Sequence, residues 1–298
     1  MITILGATGH VGGKIADTLI KKGEKVRLVA RTAERLRPFV SKQAQALAGD
    51  ALDVEFLVKA FKDTDSVFTF IPPNLKTVKF VSYADKIGES IARALEIARV
   101  NFVVNLSSIG AELPEGTGPI VGLNHMEKRL NGVKGLNVLH IRAGFFMENL
   151  MSNIDLIRSK GINGGAGRGD LKLPMIATKD IAAYASEYLV KRDFTGSSVR
   201  YLLGQRDLST IEATETIGRK INKPDLAYVM FPYDEAEKGM VAAGLSPDMS
   251  RLYVEMSRAF NEGRIKPEKR TTEKTTLTSF ETFCDEVFVP AYSQRKAA

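Results

Sequence analysis

Residues 1–13 have the sequence MITILGATGHVGG, and this stretch decides the fold. A short run of β-branched and apolar residues, Ile2 to Leu5, leads into a loop with glycines at positions 6, 9 and 12. Apolar residues follow at helical spacing, at positions 11, 15, 19 and 20. A strand, a glycine turn and a helix start in this order predict a loop that binds the phosphates of a dinucleotide.

Each glycine has its own task in such a loop. Gly6 can adopt backbone angles that other residues avoid, Gly9 lets the main chain approach a pyrophosphate, and Gly12 lets the helix pack against the strand. The helix N-terminus presents unpaired N–H groups and partial positive charge to the anion. The first glycine interval is one residue longer than in the usual fingerprint, so a tight turn in an unrelated α/β domain is the alternative.

Predicted strands and helices alternate from residue 2 to about residue 142. A helical period of apolar residues covers 79–98. Strands are predicted at 2–5, 25–30, 44–48, 66–71, 101–106 and 136–142. Because such alternation is typical of parallel sheets with right-handed crossovers, we expect an α/β protein with a doubly wound parallel sheet and a smaller α+β C-terminal lobe.

The pattern changes after Arg142. A predicted helix over 147–159 leads into a glycine-rich loop at 161–169. The shorter elements expected in the smaller lobe are strands near 198–203 and 226–231, a helix near 209–220 and two helices between 233 and 262. We expect residues 1–150 to form the nucleotide-binding domain, with 170–200 returning to it, and residues 151–298 to form a lobe for a substrate or partner. The cleft should lie between them.

Composition excludes several classes of function. The 298 residues are 44% hydrophobic and 26% charged, which is typical of a globular protein. The net charge is +7, but the 42 basic residues are scattered among 35 acidic ones, and the basic segment 266–274 is expected to be a solvated connection. No specific nucleic-acid partner is therefore expected. The positive field would help to attract an anionic cofactor.

Other classes of site and location are also disfavoured. Cys284 is the only cysteine, so an internal disulfide or Cys-x-x-Cys metal site is excluded, and the three histidines do not cluster as metal ligands. No apolar run approaches the ~20 residues of a membrane helix. Because the first strand begins at residue 2, we expect no signal peptide and a cytoplasmic location. The sequence does not indicate an oligomeric state.

Two residues at strand ends bear on the choice of nucleotide. Arg31 ends the second predicted strand, where an acidic residue would bind a ribose 2′-OH. A guanidinium instead matches a 2′-phosphate, so the expected cofactor is NADP, with NADPH preferred over NADH. A surface arginine at a helix start is the alternative. Asp50, after the third strand, is placed to accept from the adenine amino group or to cap the next helix.

Together these segments resemble the NmrA-like group of atypical short-chain dehydrogenases/reductases. The resemblance rests on GATGHVGG, LVAR, the GD pair at 49–50, TFIPP, NLSSIGA, IRAGFFMEN and IATKDIA, and it spans residues 1–190. It implies a Rossmann domain that binds NADP and a small variable C-terminal lobe that carries the substrate pocket. The family includes quinone reductases, azo-dye and plant phenylpropanoid reductases, and redox-sensing regulators without known turnover.

The resemblance also implies which residues contact the cofactor. The glycine loop would hold the pyrophosphate, Arg31 the 2′-phosphate, and Asp50 with Ala51 the adenine. Residues 70–72 would line the central path, while Ser107 and residues 143–146 would lie at the nicotinamide. The full set is Gly6, Thr8, Gly9, His10, Val11, Gly12, Arg31, Asp50, Ala51, Phe70, Ile71, Pro72, Ser107, Ala143, Gly144 and Phe145.

The chain departs from the wider superfamily in its catalytic residues. That superfamily uses Tyr-x-x-x-Lys, where the lysine lowers the tyrosine pKa so that it passes a proton at neutral pH. Here this spacing occurs only at Tyr292 and Lys296, far from the nucleotide-binding half. The helix over 121–130 has neither residue at the expected position. Dyad-dependent alcohol dehydrogenase or sugar-nucleotide epimerase chemistry is therefore not expected.

The remaining candidates for chemistry are few. Ser107 follows a buried strand and His125 is the best-placed proton donor, so these two are the candidate catalytic residues. Their alternatives are a loop-capping serine and a helix histidine without a role. Phe146, Met147 and Met175 are candidates for a flat apolar pocket that takes an aromatic substrate, and plain core packing is the alternative.

Two functions follow from these residues. The first is an NADPH-dependent reductase that passes a hydride to a quinone-like or conjugated aromatic acceptor. This step needs only proximity and orientation, with protons drawn from water. The second is a non-catalytic NADP(H) redox sensor that regulates a protein partner. The aromatic residues near the nicotinamide position favour the reductase, and the missing dyad favours the sensor.

Overall fold

The computed structural model describes residues 1–39 and 44–294. The strands are β1 (Ile2–Leu5), β2 (Val26–Ala30), β3 (Ala44–Ala48), β4 (Ser66–Thr69), β5 (Phe102–Ser108), β6 (Asn137–Ala143), β7 (Phe145–Phe146), β8 (Ile162–Gly165), β9 (Leu173–Ile176), β10 (Ser197–Leu202), β11 (Arg206–Leu208) and β12 (Ala227–Met230). The α-helices are α1 (Gly12–Lys21), α2 (Val54–Phe61), α3 (Phe80–Ile97), α4 (Ile120–Asn131), α5 (Ile154–Lys160), α6 (Thr178–Lys191), α7 (Thr210–Lys220), α8 (Tyr233–Ala242), α9 (Pro247–Asn261), α10 (Phe280–Phe283) and α11 (Val289–Ser293).

Seven parallel strands form the central sheet, in the order β10-β6-β5-β4-β1-β2-β3. The chain adds strands outward from β1 to β3 on one side and then returns to β4 on the other. In such sheets ligands bind beyond the carboxyl ends of the strands, where the order reverses. The predicted doubly wound Rossmann sheet is therefore confirmed, and its reversal point lies between β1 and β4.

Helices cover both faces of this sheet. One apolar cluster joins the central strands to α1 and α6, through side chains such as Ile15 and Ile181. A second cluster joins the opposite face to α2, α3 and α4, through side chains such as Ile91 and Leu130. All four residues of β1 are buried. This explains why the central strands are almost continuously apolar.

The smaller lobe contains a three-stranded sheet, β11-β9-β7, and a parallel pair, β12-β8. The predicted helix over 147–159 is observed as a 3-10 helix, Met147–Asn153, that continues into α5. The prediction of a loop over 161–169 is wrong for its first half, because β8 pairs with β12 there. A Cβ on Gly164 would lie 2.6 Å from the ring of Phe231, so a glycine permits this pairing.

The strand expected near 198–203 does not belong to the smaller lobe. It is β10, which forms the edge of the central sheet beside β6. The chain reaches it through α6, which packs on α1. The N-terminus of α6 is capped from the start of the lobe, because the buried Glu148 carboxylate accepts from the Thr178 backbone N–H at 3.1 Å and from its hydroxyl.

Helix α9 fastens the smaller lobe to the central domain. The Ser246 N–H donates to the Leu75 carbonyl at 2.8 Å, and the Phe80 N–H donates to the Asp248 carboxylate at 2.8 Å. Leu75 belongs to the loop that follows β4, and Phe80 begins α3. The start of α9 therefore lies against the carboxyl edge of the sheet, where a ligand cleft is expected.

Candidate cofactor site and active site

The glycine loop is formed by close approach of three segments. Gly6 has φ +64°, and a Cβ there would lie 2.3 Å from the ring of Phe70. A Cβ on Gly12 would lie 2.3 Å from the Gly6 carbonyl oxygen. Both distances are far shorter than van der Waals contact, so only glycine fits at these two positions. The loop is held tightly between β1, α1 and the end of β4.

Helix α1 begins beside this loop with an open N-terminus. Val11 makes no side-chain cap hydrogen bond, and the first turn has no acidic residue. In the described residues, the backbone N–H groups of His10, Val11 and Gly12 have no hydrogen-bond acceptor. Unpaired amides and the positive end of the helix dipole together favour an anion at this point. Thr8 and Gly9 lie in the same exposed turn.

Three side chains converge near the end of β2. Arg31 is exposed and has no ion-pair partner in the described part of the chain. Burial raises the pKa of Tyr83 on α3, while the charges of Arg31 and Asp50 act on it in opposite directions. Both charges therefore act on the Tyr83 hydroxyl. Tyr83 comes one position before Ala84 in the apolar pattern of α3. Nothing in this pattern marks Tyr83 as a residue of the cofactor site.

Asp50 does not cap the helix that follows it. Its Oδ1 accepts from the Leu52 N–H at 3.0 Å, which closes a local turn. The cap of α2 is Asp53, whose carboxylate accepts from the Phe56 N–H at 3.0 Å. The capping interpretation of Asp50 is therefore wrong. Its exposed carboxylate and the neighbouring Ala51 lie beside the end of β2, because Gly49 N–H bonds to the Ala30 carbonyl.

Ser107 lies within β5 and is almost completely buried. Its hydroxyl donates to Oε1 of Glu127 on α4 at 2.6 Å. Arg142 on β6 donates to both oxygens of the same carboxylate, at 3.0 Å from Nε and 2.7 Å from Nη2. The proton of Ser107 is thus already bound by a carboxylate. In this arrangement the Ser107 hydroxyl has no second proton to offer a ligand, and its selection as a catalytic residue stays a prediction.

The structure does not bring His125 and Ser107 together. Nδ1 of His125 lies 2.8 Å from Asp85 on α3, and Arg129 lies 2.9 Å from the same carboxylate. His125 and Glu127 are two residues apart on α4, so they project about 200° apart around the helix. His125 therefore faces α3, while Glu127 faces the sheet. His125 as a proton donor stays a prediction, and the structure places it beside Asp85 rather than beside Ser107.

The residues expected along the central cofactor path and at the nicotinamide differ in exposure. Phe70 and Phe146 are partly buried and border the same apolar cluster. Phe145 is partly buried against the core of the smaller lobe. Ile71 and Ala143 are buried and Pro72 is half-buried. Gly144 approaches the next segment closely, since a Cβ there would lie 2.4 Å from the Pro174 carbonyl oxygen.

Met147 and Met175 do not line a cleft. Each is 1% exposed, and both pack in the core of the smaller lobe with Phe280 and Phe283. For these two residues the alternative of plain core packing is the one observed. Only Phe146 of the expected pocket residues retains an accessible surface.

The sequence interpretation missed the buried partners of Ser107. Glu127 follows the apolar stripe of α4, four residues after Leu123 and three before Leu130. Arg142 lies within a mostly buried strand. A charged residue within each apolar pattern could have indicated a buried ion pair. Tyr292 is remote from these residues, because its ring packs on Phe288 in the smaller lobe, and Lys296 lies outside the described residues.

Two classes of site are absent from the described part of the chain. No group of three or more His, Cys, Asp or Glu side chains in residues 1–39 and 44–294 is arranged to hold a metal ion. None of the helices in these ranges has the length and apolar character needed to span a bilayer.

The residues of the glycine loop fit a phosphate-bearing dinucleotide. Gly6 and Gly12 permit the tight packing of the loop, and the backbone N–H groups of residues 10–12 lack acceptors among the described residues. Arg31 at the end of β2 has no acidic partner among the described residues. These features together fit a diphosphate with a further phosphate on the adenosine side.

Known proteins are similar to this chain in sequence or in fold. An NAD(P)H azoreductase of Xenophilus azovorans is 26% identical over 259 residues, which cover 85% of this chain and 86% of that protein. The structure of an NADPH-dependent quinone oxidoreductase of Escherichia coli in complex with NADPH matches with a TM-score of 0.81, at 18% identity, over 97% of this chain and 100% of that one. A triphenylmethane reductase of Citrobacter sp. with NADP(H) matches with a TM-score of 0.78, at 16% identity, over 96% and 99% of the two chains.

The two structural matches show that the fold is shared. The sequence model of the NmrA-like family matches residues 1–284, which is almost the whole chain. The protein therefore belongs to the NmrA-like family.

Proposed function

We propose that the protein is an NADPH-dependent reductase that transfers a hydride to a quinone-like or conjugated aromatic acceptor without a Tyr-Lys dyad. The observation that carries the proposal is the open N-terminus of α1 beside the glycine loop, together with the unpaired Arg31. The names of the relatives support it, since they describe an azoreductase, a quinone oxidoreductase and a triphenylmethane reductase.

The residues of the site have separate tasks in this proposal. The amides of residues 10–12 would bind the pyrophosphate and the Arg31 guanidinium the 2′-phosphate. Asp50 would accept from the adenine amino group. Phe70 and Phe146 would border the path towards the acceptor. NADPH supplies the hydride when it is bound, and the protein's contribution is to orient the two reactants and exclude water.

No side chain needs to donate a proton in this reaction. One NADPH and one proton from water convert a quinone to a hydroquinone and leave NADP⁺, so electrons and protons balance without a dyad. This agrees with the observed partners of the two candidate residues, because Ser107 donates to Glu127 and His125 pairs with Asp85. An acceptor that must be protonated by the enzyme during hydride transfer, such as a simple ketone, is expected to react poorly.

Two measurements on the purified protein test the proposal. Isothermal titration should give tighter binding of NADPH than of NADH, and steady-state assays should show NADPH oxidation with several quinones. Equal affinities would contradict the preference for NADPH. Tight binding that distinguishes NADP⁺ from NADPH, with no turnover against any acceptor, would replace the reductase by a redox sensor that acts on a protein partner.

A further inference from the structure

Two buried residues, Ser107 and Glu127, and the partly buried Arg142 form a chain of hydrogen bonds at the carboxyl ends of β5 and β6. Ser107 is 3% exposed and Glu127 5% exposed, and Ser107 lies opposite Arg142 in the register of the two strands. Burying a carboxylate and a guanidinium is costly unless each is paired. Because these residues lie beside the expected nicotinamide end of the cleft, we connect the free-energy cost of burying them with ligand binding.

The direction of the first hydrogen bond follows from chemistry. A carboxylate has no proton to give, so the Ser107 hydroxyl must donate to Glu127 across the 2.6 Å contact. A hydroxyl has only one proton. The Ser107 oxygen therefore offers only its lone pairs to any further partner.

The rest of the chain keeps Glu127 in place. Its two oxygens accept from Arg142 in a forked arrangement. The third nitrogen of Arg142, Nη1, donates to the Tyr201 hydroxyl at 2.8 Å and to Glu112 at 3.1 Å. Burial lowers the pKa of Arg142, but the hydrogen bonds and charges of Glu127 and Tyr201 together raise it by more, so the net shift is upward. The guanidinium therefore stays charged.

An acceptor-only hydroxyl at this position selects among the groups that could reach it. Quinone oxygens and azo nitrogens are themselves acceptors, so they gain no hydrogen bond from Ser107. The carboxamide of a nicotinamide carries an NH₂ group that can donate. We propose that Ser107 accepts a hydrogen bond from the nicotinamide carboxamide, with Glu127 and Arg142 as positioning residues that fix the hydroxyl as an acceptor. This inference rests on the proposed function, since it presumes that the cleft binds NADP.

A cofactor analogue isolates this one contact. In the 3-acetylpyridine analogue of NADP⁺ a methyl ketone replaces the carboxamide, so the analogue has an acceptor but no donor at that position. The wild-type protein should bind NADP⁺ about five- to tenfold more tightly than the analogue, the effect of one hydrogen bond. Ser107→Ala should weaken NADP⁺ binding and bring the ratio of dissociation constants to about one.

The neighbouring serine provides a matched control. Ser108 follows Ser107 on β5 and projects to the opposite face, and its hydroxyl donates to the Ile109 carbonyl at 3.0 Å. Ser108→Ala should leave the ratio unchanged. Glu127→Gln should lower the ratio, because an amide can donate to Ser107 and cannot accept all of the present hydrogen bonds. A merely structural role of Glu127 would weaken both ligands equally and preserve the ratio.

The outcomes separate this inference from the proposed function. If the wild-type protein binds neither NADP⁺ nor NADPH, the cofactor site itself is wrong, and the inference falls with it. If it binds NADP⁺ and the analogue equally, or if Ser107→Ala keeps the full preference for NADP⁺, the inference alone is overturned. If Ser107→Ala fails to fold, two results still test the inference. They are the ratio of the dissociation constants for NADP⁺ and the analogue in the wild-type protein, and the change of this ratio in Glu127→Gln.

Discussion

The ring of Phe70 lies against Gly6 so closely that a Cβ on Gly6 would come within 2.3 Å of it. Gly6 also has φ +64°, which disfavours any side chain. The end of β1 and the end of β4 therefore meet at a point where both the backbone angle and the packing require glycine. This contact fixes the entrance of the glycine loop at the reversal point of the sheet.

Gly6→Ala is expected to destabilise the protein and to weaken NADPH binding. Gly23→Ala is its control, since Gly23 has φ +79° but a Cβ there would meet nothing within 4 Å. Both variants carry the cost of a left-handed alanine, and Gly6→Ala adds overpacking against Phe70, about 1–3 kcal/mol more. Urea unfolding measures the difference. Equal losses of the free energy of unfolding in the two variants would contradict this prediction, because they would show that the Phe70 ring moves aside at no cost.

Arg31→Ala is expected to raise the dissociation constant for NADPH about tenfold to a hundredfold, the range for a charge-assisted contact with phosphate. The dissociation constant for NADH, which lacks the 2′-phosphate, should hardly change. Arg37→Ala, which removes another exposed arginine of the following 3-10 helix, serves as the charge control. An equal loss of NADPH and NADH binding in Arg31→Ala would argue against a 2′-phosphate contact.

Arg142→Ala should destabilise the fold strongly, because it leaves the buried Glu127 carboxylate without its cation. Removing one partner of a buried pair costs about 3–5 kcal/mol, whereas replacing both partners by apolar residues is often neutral. The double variant Glu127→Leu/Arg142→Met should therefore recover most of the lost free energy of unfolding. A single variant as stable as the wild type would show that water reaches Glu127.

Stability should fall as the pH is lowered below about 6.5, because of His140. Burial lowers the pKa of its imidazole from 6.5 to about 4, and the ring bonds to Asn105 at 3.1 Å and Asn131 at 2.8 Å. The unfolded state therefore takes up a proton at a higher pH than the folded state does. This linkage predicts a loss of about 3 kcal/mol between pH 7 and pH 4.

His140→Gln, which cannot titrate, separates this contribution from that of the carboxylates. The free energy of unfolding of the variant should change less between pH 7 and pH 4 than that of the wild type. Urea unfolding at the two pH values gives both numbers. The same pH dependence in both proteins would assign the acid sensitivity to other groups.

Much of the central domain could be predicted because its strands carry an unambiguous pattern. Strands β1, β2, β4, β5 and β6 are largely buried, so they are mostly apolar runs between helical periods, whereas β3 is an edge strand with exposed residues. Strand β10 lacks this pattern because it is an edge strand, with only Leu202 buried. Its sequence does not distinguish an edge strand of the central sheet from a strand of the smaller lobe. The parallel pairing with β6 shows that β10 belongs to the central sheet.

The chemistry at the carboxyl edge was harder to predict. The sequence indicates that Ser107 ends a buried strand, but its partner Glu127 is twenty residues away and depends on how α4 is rotated. That rotation also decides that His125 meets Asp85 rather than the cleft. The methionines show the same limit, since an apolar residue suits a pocket wall and a core equally well and only packing distinguishes the two.

Anaerobic mixing of the protein with NADPH and a naphthoquinone tests the reductase most directly, with both absorbances followed together. We expect NADPH to be consumed one for one with quinone, at a rate proportional to protein concentration and lower in Arg31→Ala when NADPH is below saturation. Tight binding of NADPH without any protein-dependent loss of its absorbance, across a panel of quinone and azo acceptors, would contradict the proposal.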